Sequence, residues 1–130
     1  MFHLSIIIKF KQMKYAFEKL EVWQKSRVLV KEIYSVTKSF PADERFGLTS
    51  QLRRAAVSIS SNIAEGSTRL SSRDKSRFYE IAYGSLIETI NQLILSADLQ
   101  FLNPDDLTKL RVQTDEVSRM LLALHKSTNR

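Results

Sequence analysis

A chain of 130 residues with 43% hydrophobic side chains has enough apolar surface for one core and one domain. Three glycines and two prolines argue against a turn-rich β-protein, and the absence of cysteine excludes disulfides, thiolate metal ligands and a thiol nucleophile. With only His3 and His125, near opposite ends, a histidine-based catalytic or zinc site is not expected, and the net charge of +6 favours acidic partners, nucleic acid first.

Residues 1–12, MFHLSIIIKFKQ, differ in pattern from the rest of the chain. Phe2, Leu4, Ile6 to Ile8 and Phe10 are apolar and β-prone, but the run is far shorter than the roughly 20 residues that span a bilayer. It lacks a basic leader region and a small-residue cleavage site. Met13 begins a natural-looking start, MKYAFEKLEVWQ, so residues 1–12 read as a peripheral extension, dispensable for folding, with residues 13–130 as the domain. The competing reading is an extra strand or hydrophobic contact segment.

The first helix is expected over about residues 20–39, with Val22, Ser26, Leu29, Ile33 and Val36 as its apolar stripe, widened by Trp23, Val30 and Tyr34. Trp23, the only tryptophan, fits packing better than ligand binding. Phe40-Pro41 ends the helix, because the residue before proline is pushed out of the α region. The second helix is expected over about residues 46–65. Leu48, Leu52, Ala55, Ile59 and Ile63 form one stripe; Gln51, Arg54, Ser58, Ser61 and Glu65 form a polar one; and Ala56, Ser60 and Ala64 form a face of small side chains. Gly66 reads as the C′ residue that ends this helix.

Ser71 and Asp74 have capping-box spacing and open a third helix, which runs to about residue 99. Its apolar stripe is Tyr79, Ala82, Leu86, Ile90, Leu93 and Ala97, with Ile87, Ile94 and Phe101 alongside. Arg77, Glu80, Gly84, Glu88 and Asn91 form its wet side. Gly84 costs about 1 kcal/mol relative to alanine, and close contact with another helix would account for it. Asn103-Pro104-Asp105-Asp106 supplies an N-cap, a proline at the first helical position and acids in the first turn. The fourth helix carries Leu107, Leu110, Thr114, Val117, Leu121 and Leu124 in a near-heptad seam. Four amphipathic helices with short connections make an all-α, antiparallel up-down-up-down four-helix bundle. With no Gly-rich phosphate loop, nucleophile elbow or metal-ligand pattern, no catalytic residue, metal site or cofactor is expected, and the protein reads as a non-enzymatic one of the cytoplasm.

The basic excess is concentrated. Between residues 45 and 77, Arg45, Arg53, Arg54, Arg69, Arg73, Lys75 and Arg77 face only Glu65 and Asp74, a net +5. These seven residues are the candidate nucleic-acid contacts. Arg53 and Arg54 have two readings: phosphate contact, or structural pairing with Glu65 or Glu88. Arg69, Arg73, Lys75 and Arg77 surround a helix N-terminus, whose free N–H groups favour a phosphate. Asn62 and Glu65 read as helix-end hydrogen-bonding residues rather than an acid–base pair.

At LEVWQKS, at FPADERFGLTSQLRRAAVSISSNIAEGSTR and at FYEIAYGSLIE, the chain resembles the bacterial four-helix-bundle proteins associated with intervening sequences of 23S ribosomal RNA genes. The accessory variability proteins of diversity-generating retroelements are similar. The resemblance spans roughly residues 15–126. It implies a ring-like homo-oligomer, a pentamer, that is not an enzyme; a basic surface for RNA or DNA; and, in retroelement systems, a reverse-transcriptase partner. Arg53, Arg54, Asn62, Glu65 and Gly66 match its central block. Ser60 stands where the family commonly has proline, which implies a straighter second helix, and Ile90 stands where a second acid often follows the position of Glu88. The residues leave two functions open: a nucleic-acid-binding oligomer, or a scaffold whose basic face docks a partner protein.

Overall fold

A computed structural model describes residues 13–129, so the reading of residues 1–12 lies outside the described residues. Four helices follow one another: α1 (Glu21–Thr37), α2 (Leu48–Ser67), α3 (Ser72–Asp98) and α4 (Pro104–Ser127). Short 3-10 turns at Ala16–Lys19 and Ala42–Glu44 precede α1 and α2, and no strand occurs among the described residues.

The contacts give the direction of each helix. Gln51 meets Gln92, Ser58 meets Ser85 and Gly66 lies against Tyr79, so α2 and α3 run antiparallel. Lys25 pairs with Glu116 at 3.2 Å and Glu32 with Lys109 at 3.6 Å, which sets α1 antiparallel to α4. Each helix packs on its two neighbours, and the α2–α3 interface is the largest. The result is a closed four-helix, up-down-up-down bundle.

Its core is the set of stripes read from the sequence. Leu29, Ile33, Leu52, Ile59, Ile63, Leu86, Leu93, Leu110, Val117 and Leu121 are fully buried. Small polar residues sit among them without penalty because their hydroxyls bond back to their own helix: Thr37 to Ile33 O, Thr89 to Ser85 O and Ser96 to Gln92 O. Trp23 packs at the core's edge, edge-on to Phe17 at 5.0 Å. Phe40 and Leu102 close the end of the bundle where α1 stops, and the rings of Phe40 and Phe101 lie 5.8 Å apart.

Both anticipated caps form. Ser71 Oγ accepts from Asp74 N at 3.1 Å, and Asn103 Oδ1 accepts from Asp106 N at 2.8 Å. The end of α3 is a Schellman turn: Gln100 N bonds to Ala97 O at 3.0 Å and Phe101 N to Ser96 O at 2.9 Å, with Gln100 in the left-handed region at φ 64°.

Two glycines behave differently from expectation. Gly66 does not end α2 as a left-handed C′ residue; it is helical and buried, and the helix continues through Ser67. Its role is close approach, since a Cβ there would lie 2.7 Å from Tyr79 Cε1 and 2.9 Å from Phe78 Cβ. Gly84, expected to touch another helix, has nothing within 4 Å of a would-be Cβ. The second helix also begins later than its pattern suggested: Phe46 belongs to the connecting loop, and α2 starts at Leu48.

Candidate nucleic-acid interface

The bundle splits six of the seven candidate residues between its two ends and leaves Arg54 on the seam between α2 and α3. Arg45 and Arg53 lie where α1 ends and α2 begins; Arg69, Arg73, Lys75 and Arg77 lie at the far end, around the α2–α3 connection. From Arg53 to the end of α2 at Ser67 the chain climbs about 21 Å at 1.5 Å per residue, and Arg69 lies just beyond. The segment that is contiguous in sequence is therefore two separate surfaces.

At the α2–α3 end, Phe78 forms a shelf. The Arg69 guanidinium lies 4.4 Å from its ring centroid and that of Arg77 5.9 Å. Arg73 and Arg77 line an open hollow of about 630 Å³ together with Asp74, Glu80 and the hydroxyls of Ser72 and Ser76. None of Arg69, Arg73 or Arg77 makes an ion pair among the described residues. Lys75 is occupied differently: its Nζ donates to Ser67 O at 2.9 Å and satisfies a carbonyl at the end of α2. Beside the hollow, His125 Nε2 lies 2.9 Å from Ser76 Oγ and 3.1 Å from Glu80 Oε1, which ties the end of α4 to α3. Both contacts use the same ring nitrogen. A catalytic triad needs serine and acid on opposite nitrogens, so this set is a helix clamp.

Arg53 is held by packing contacts. Its Nε donates to Thr37 Oγ1 at 2.9 Å, and its guanidinium lies 4.6 Å from the Tyr34 ring centroid. Arg54 is exposed and lines a seam between α2 and α3 with Gln51, Ser58, Ser85 and Glu88. It pairs with neither Glu65 nor Glu88 among the described residues. In that seam Ser58 and Ser85 share a hydrogen bond of 2.8 Å, and Asn62 Nδ2 donates to Ser58 O at 2.8 Å, so Asn62 braces the helix. Buried Gln92 donates to Glu88 Oε1 at 3.1 Å, while its own Oε1 has no partner.

Sequence reasoning missed Phe78, Lys38 and Phe46. Phe46 had a legible signal, since it falls outside the Leu48–Leu52–Ala55–Ile59 period and so has no place in the core. Phe78 had none, because its neighbours Arg69 and Arg77 come together only when the α2–α3 turn closes.

No helix among the described residues is long and apolar enough to cross a membrane, and no group of three or more metal-ligating side chains occurs among them. The fold and its charged ends define a small, basic, all-α bundle protein. The chain belongs to the 23S rRNA-intervening sequence protein family, which matches over residues 18–123. Among solved structures, it is similar to a protein with unknown function from the S23 ribosomal protein family of Bacteroides thetaiotaomicron. That likeness has a TM-score of 0.75 at 23% identity, covers 81% of this chain and 95% of that one, and bears on the fold alone. No curated protein matches the chain.

Proposed function

We propose that the protein is a non-enzymatic nucleic-acid binder that takes RNA or DNA on the end formed by Arg69, Arg73 and Arg77. The observation that carries the reading is the gathering of three guanidinium groups, free of ion pairs among the described residues, around Phe78 and one hollow. Guanidinium groups suit phosphate because they donate in a planar fork and shed water readily. The first turn of α3 adds backbone N–H groups and the positive end of its dipole. Membership of a family named for an intervening sequence of ribosomal RNA is consistent with a nucleic-acid context.

The same reading includes self-association. Ile81, Ile87 and Leu95 are exposed on α3 and Leu99 just past its end, interspersed with exposed Glu80, Glu88 and Asn91 and the open Gly84, and Val57 is exposed on α2. Exposed apolar side chains of this number support contact between copies of the chain. The number five comes from the family resemblance. A ring would multiply the cationic ends and strengthen their field. The alternative reading is a scaffold whose basic face docks a partner protein such as a reverse transcriptase.

The test is fluorescence anisotropy with labelled RNA and DNA at low salt, comparing the parent with the R69E/R73E/R77E variant. All three residues sit in or beside the connecting turn, so circular dichroism should report an unchanged fold. Binding should weaken to a similar degree for every sequence tried. A folded variant that binds as the parent does would move the interface elsewhere, and a parent that binds neither polymer would leave the partner-protein reading in its place.

A further inference from the structure

The opposite end of the bundle carries a second hollow, of about 380 Å³, between the C-terminus of α1 and the start of α2. Lys38, Arg45 and Arg53 line it with Thr37 and Thr49, and no acidic residue does. None of these three cations makes an ion pair among the described residues. Acids stand nearby but are directed elsewhere or lie outside the hollow: a Glu44 carboxylate oxygen accepts from Leu48 N at 2.9 Å, and exposed Asp43 is not part of the lining. At the α2–α3 end, by contrast, Arg73 and Arg77 share their hollow with Asp74 and Glu80. A concave site with three cations and no acid focuses positive potential and attracts an anion.

Arg53 is already oriented for one. Its bond to Thr37 and its stacking on Tyr34 fix the guanidinium, so little side-chain freedom remains to be lost on binding. Beside the hollow stands Phe46, 87% exposed, with the Arg45 guanidinium 5.5 Å from its ring centroid. Backbone hydrogen bonds shape its loop: Arg45 N bonds to Ala42 O at 3.2 Å and Gly47 N to Glu44 O at 3.0 Å. The ring is an exposed aromatic face next to a cationic pocket, the pairing with which proteins hold a phosphate and its base.

We propose that this hollow binds a phosphate group with its adjoining nucleobase, Lys38, Arg45 and Arg53 receiving the phosphate and Phe46 stacking on the base. The phosphate can come from a free nucleotide or from the 5′ end of a single strand. The site is separate from the Arg69–Arg73–Arg77 surface and does not depend on it.

Calorimetry on the full chain at low salt tests this with inorganic phosphate, uridine, uridine monophosphate, and trinucleotides with and without a 5′-phosphate. Uridine monophosphate should bind and uridine should not. K38A/R45A should lower affinity for the nucleotide at least about ten-fold, and F46A should lower it about ten-fold while leaving inorganic phosphate unaffected. All three side chains are exposed, so both variants should keep their circular dichroism. Tighter binding of the phosphorylated trinucleotide than of the mononucleotide would assign the site to strand ends, and the reverse to free nucleotides. R69E/R73E/R77E should bind uridine monophosphate as the parent does, which separates this site from the nucleic-acid surface at the other end. The proposal is overturned if phosphate, nucleotide and phosphorylated trinucleotide all fail to bind, or if K38A/R45A binds as the parent does. It is also overturned if F46A keeps nucleotide affinity but loses mass in light scattering, which would make Phe46 a contact between copies.

Discussion

Replacing Gly66 with alanine should destabilise the bundle by about 1–2 kcal/mol. In an unobstructed helix the same change gains about 0.5–1 kcal/mol, because glycine loses the most backbone entropy on folding. Here the new methyl group would sit 2.7 Å from Tyr79 Cε1 and 2.9 Å from Phe78 Cβ. Tyr79 is buried and cannot swing aside, and Phe78 Cβ is fixed to the α3 backbone. The helices must therefore part at their largest interface, and overpacking of this kind costs about 1–3 kcal/mol. Gly84→Ala is the internal comparison. With nothing within 4 Å of its Cβ, it should stabilise the protomer, by about 1 kcal/mol. Urea titrations followed by circular dichroism should show a lower midpoint for G66A and a higher one for G84A, with unchanged slopes. If G66A proves as stable as the parent, close approach of α2 and α3 is not what the glycine serves. If G84A is more stable yet loses mass in light scattering, the surface of α3 around Gly84 is where copies meet.

Gln100→Gly should raise stability by about 1 kcal/mol, since a left-handed residue with a Cβ carries roughly that strain, and thermal melts should shift up by about 4 °C or more. Ile59→Ala, at a fully buried position of α2, should cost about 2–5 kcal/mol in the same urea assay. Burial holds the Tyr79 hydroxyl above its ordinary pKa. The unfolded chain releases that proton near pH 10. Stability contributed by neutral Tyr79 is thus complete below about pH 10 and is lost as the pH rises through the folded value. Tyr79→Phe should reduce the fall in urea midpoint between pH 8 and pH 11.

The helical stripes were legible because a period of 3.6 residues maps directly onto a buried face. Leu52, Ile59 and Ile63 on α2 and Tyr79, Ala82, Leu86 and Leu93 on α3 all lie in the core. The caps at Ser71 and Asn103 were legible too, because a short polar side chain three residues before a free N–H is a local arrangement. Gly66 was misread because a glycine at the end of a helical pattern looks the same whether it serves a left-handed turn or a close crossing, and only the position of Tyr79 distinguishes them. What holds Arg53 and Lys75 was not legible from charge. Their packing partners, Thr37 and Tyr34 for one and Ser67 O for the other, lie across a helix interface or a turn that the linear charge pattern does not encode. For the same reason the +5 segment looked like one surface when the fold places most of it at two ends.

The salt dependence of RNA binding by the parent protein bears most directly on the proposed function. If the Arg69–Arg73–Arg77 end neutralises phosphates, the logarithm of the association constant should fall linearly with the logarithm of salt concentration, with a slope of about −0.7 for each phosphate contacted on a single strand and about −0.9 on a duplex. R69E/R73E/R77E should flatten that slope. A slope near zero in the parent, or one that the triple substitution leaves unchanged, would contradict an electrostatic nucleic-acid interface at this end of the bundle.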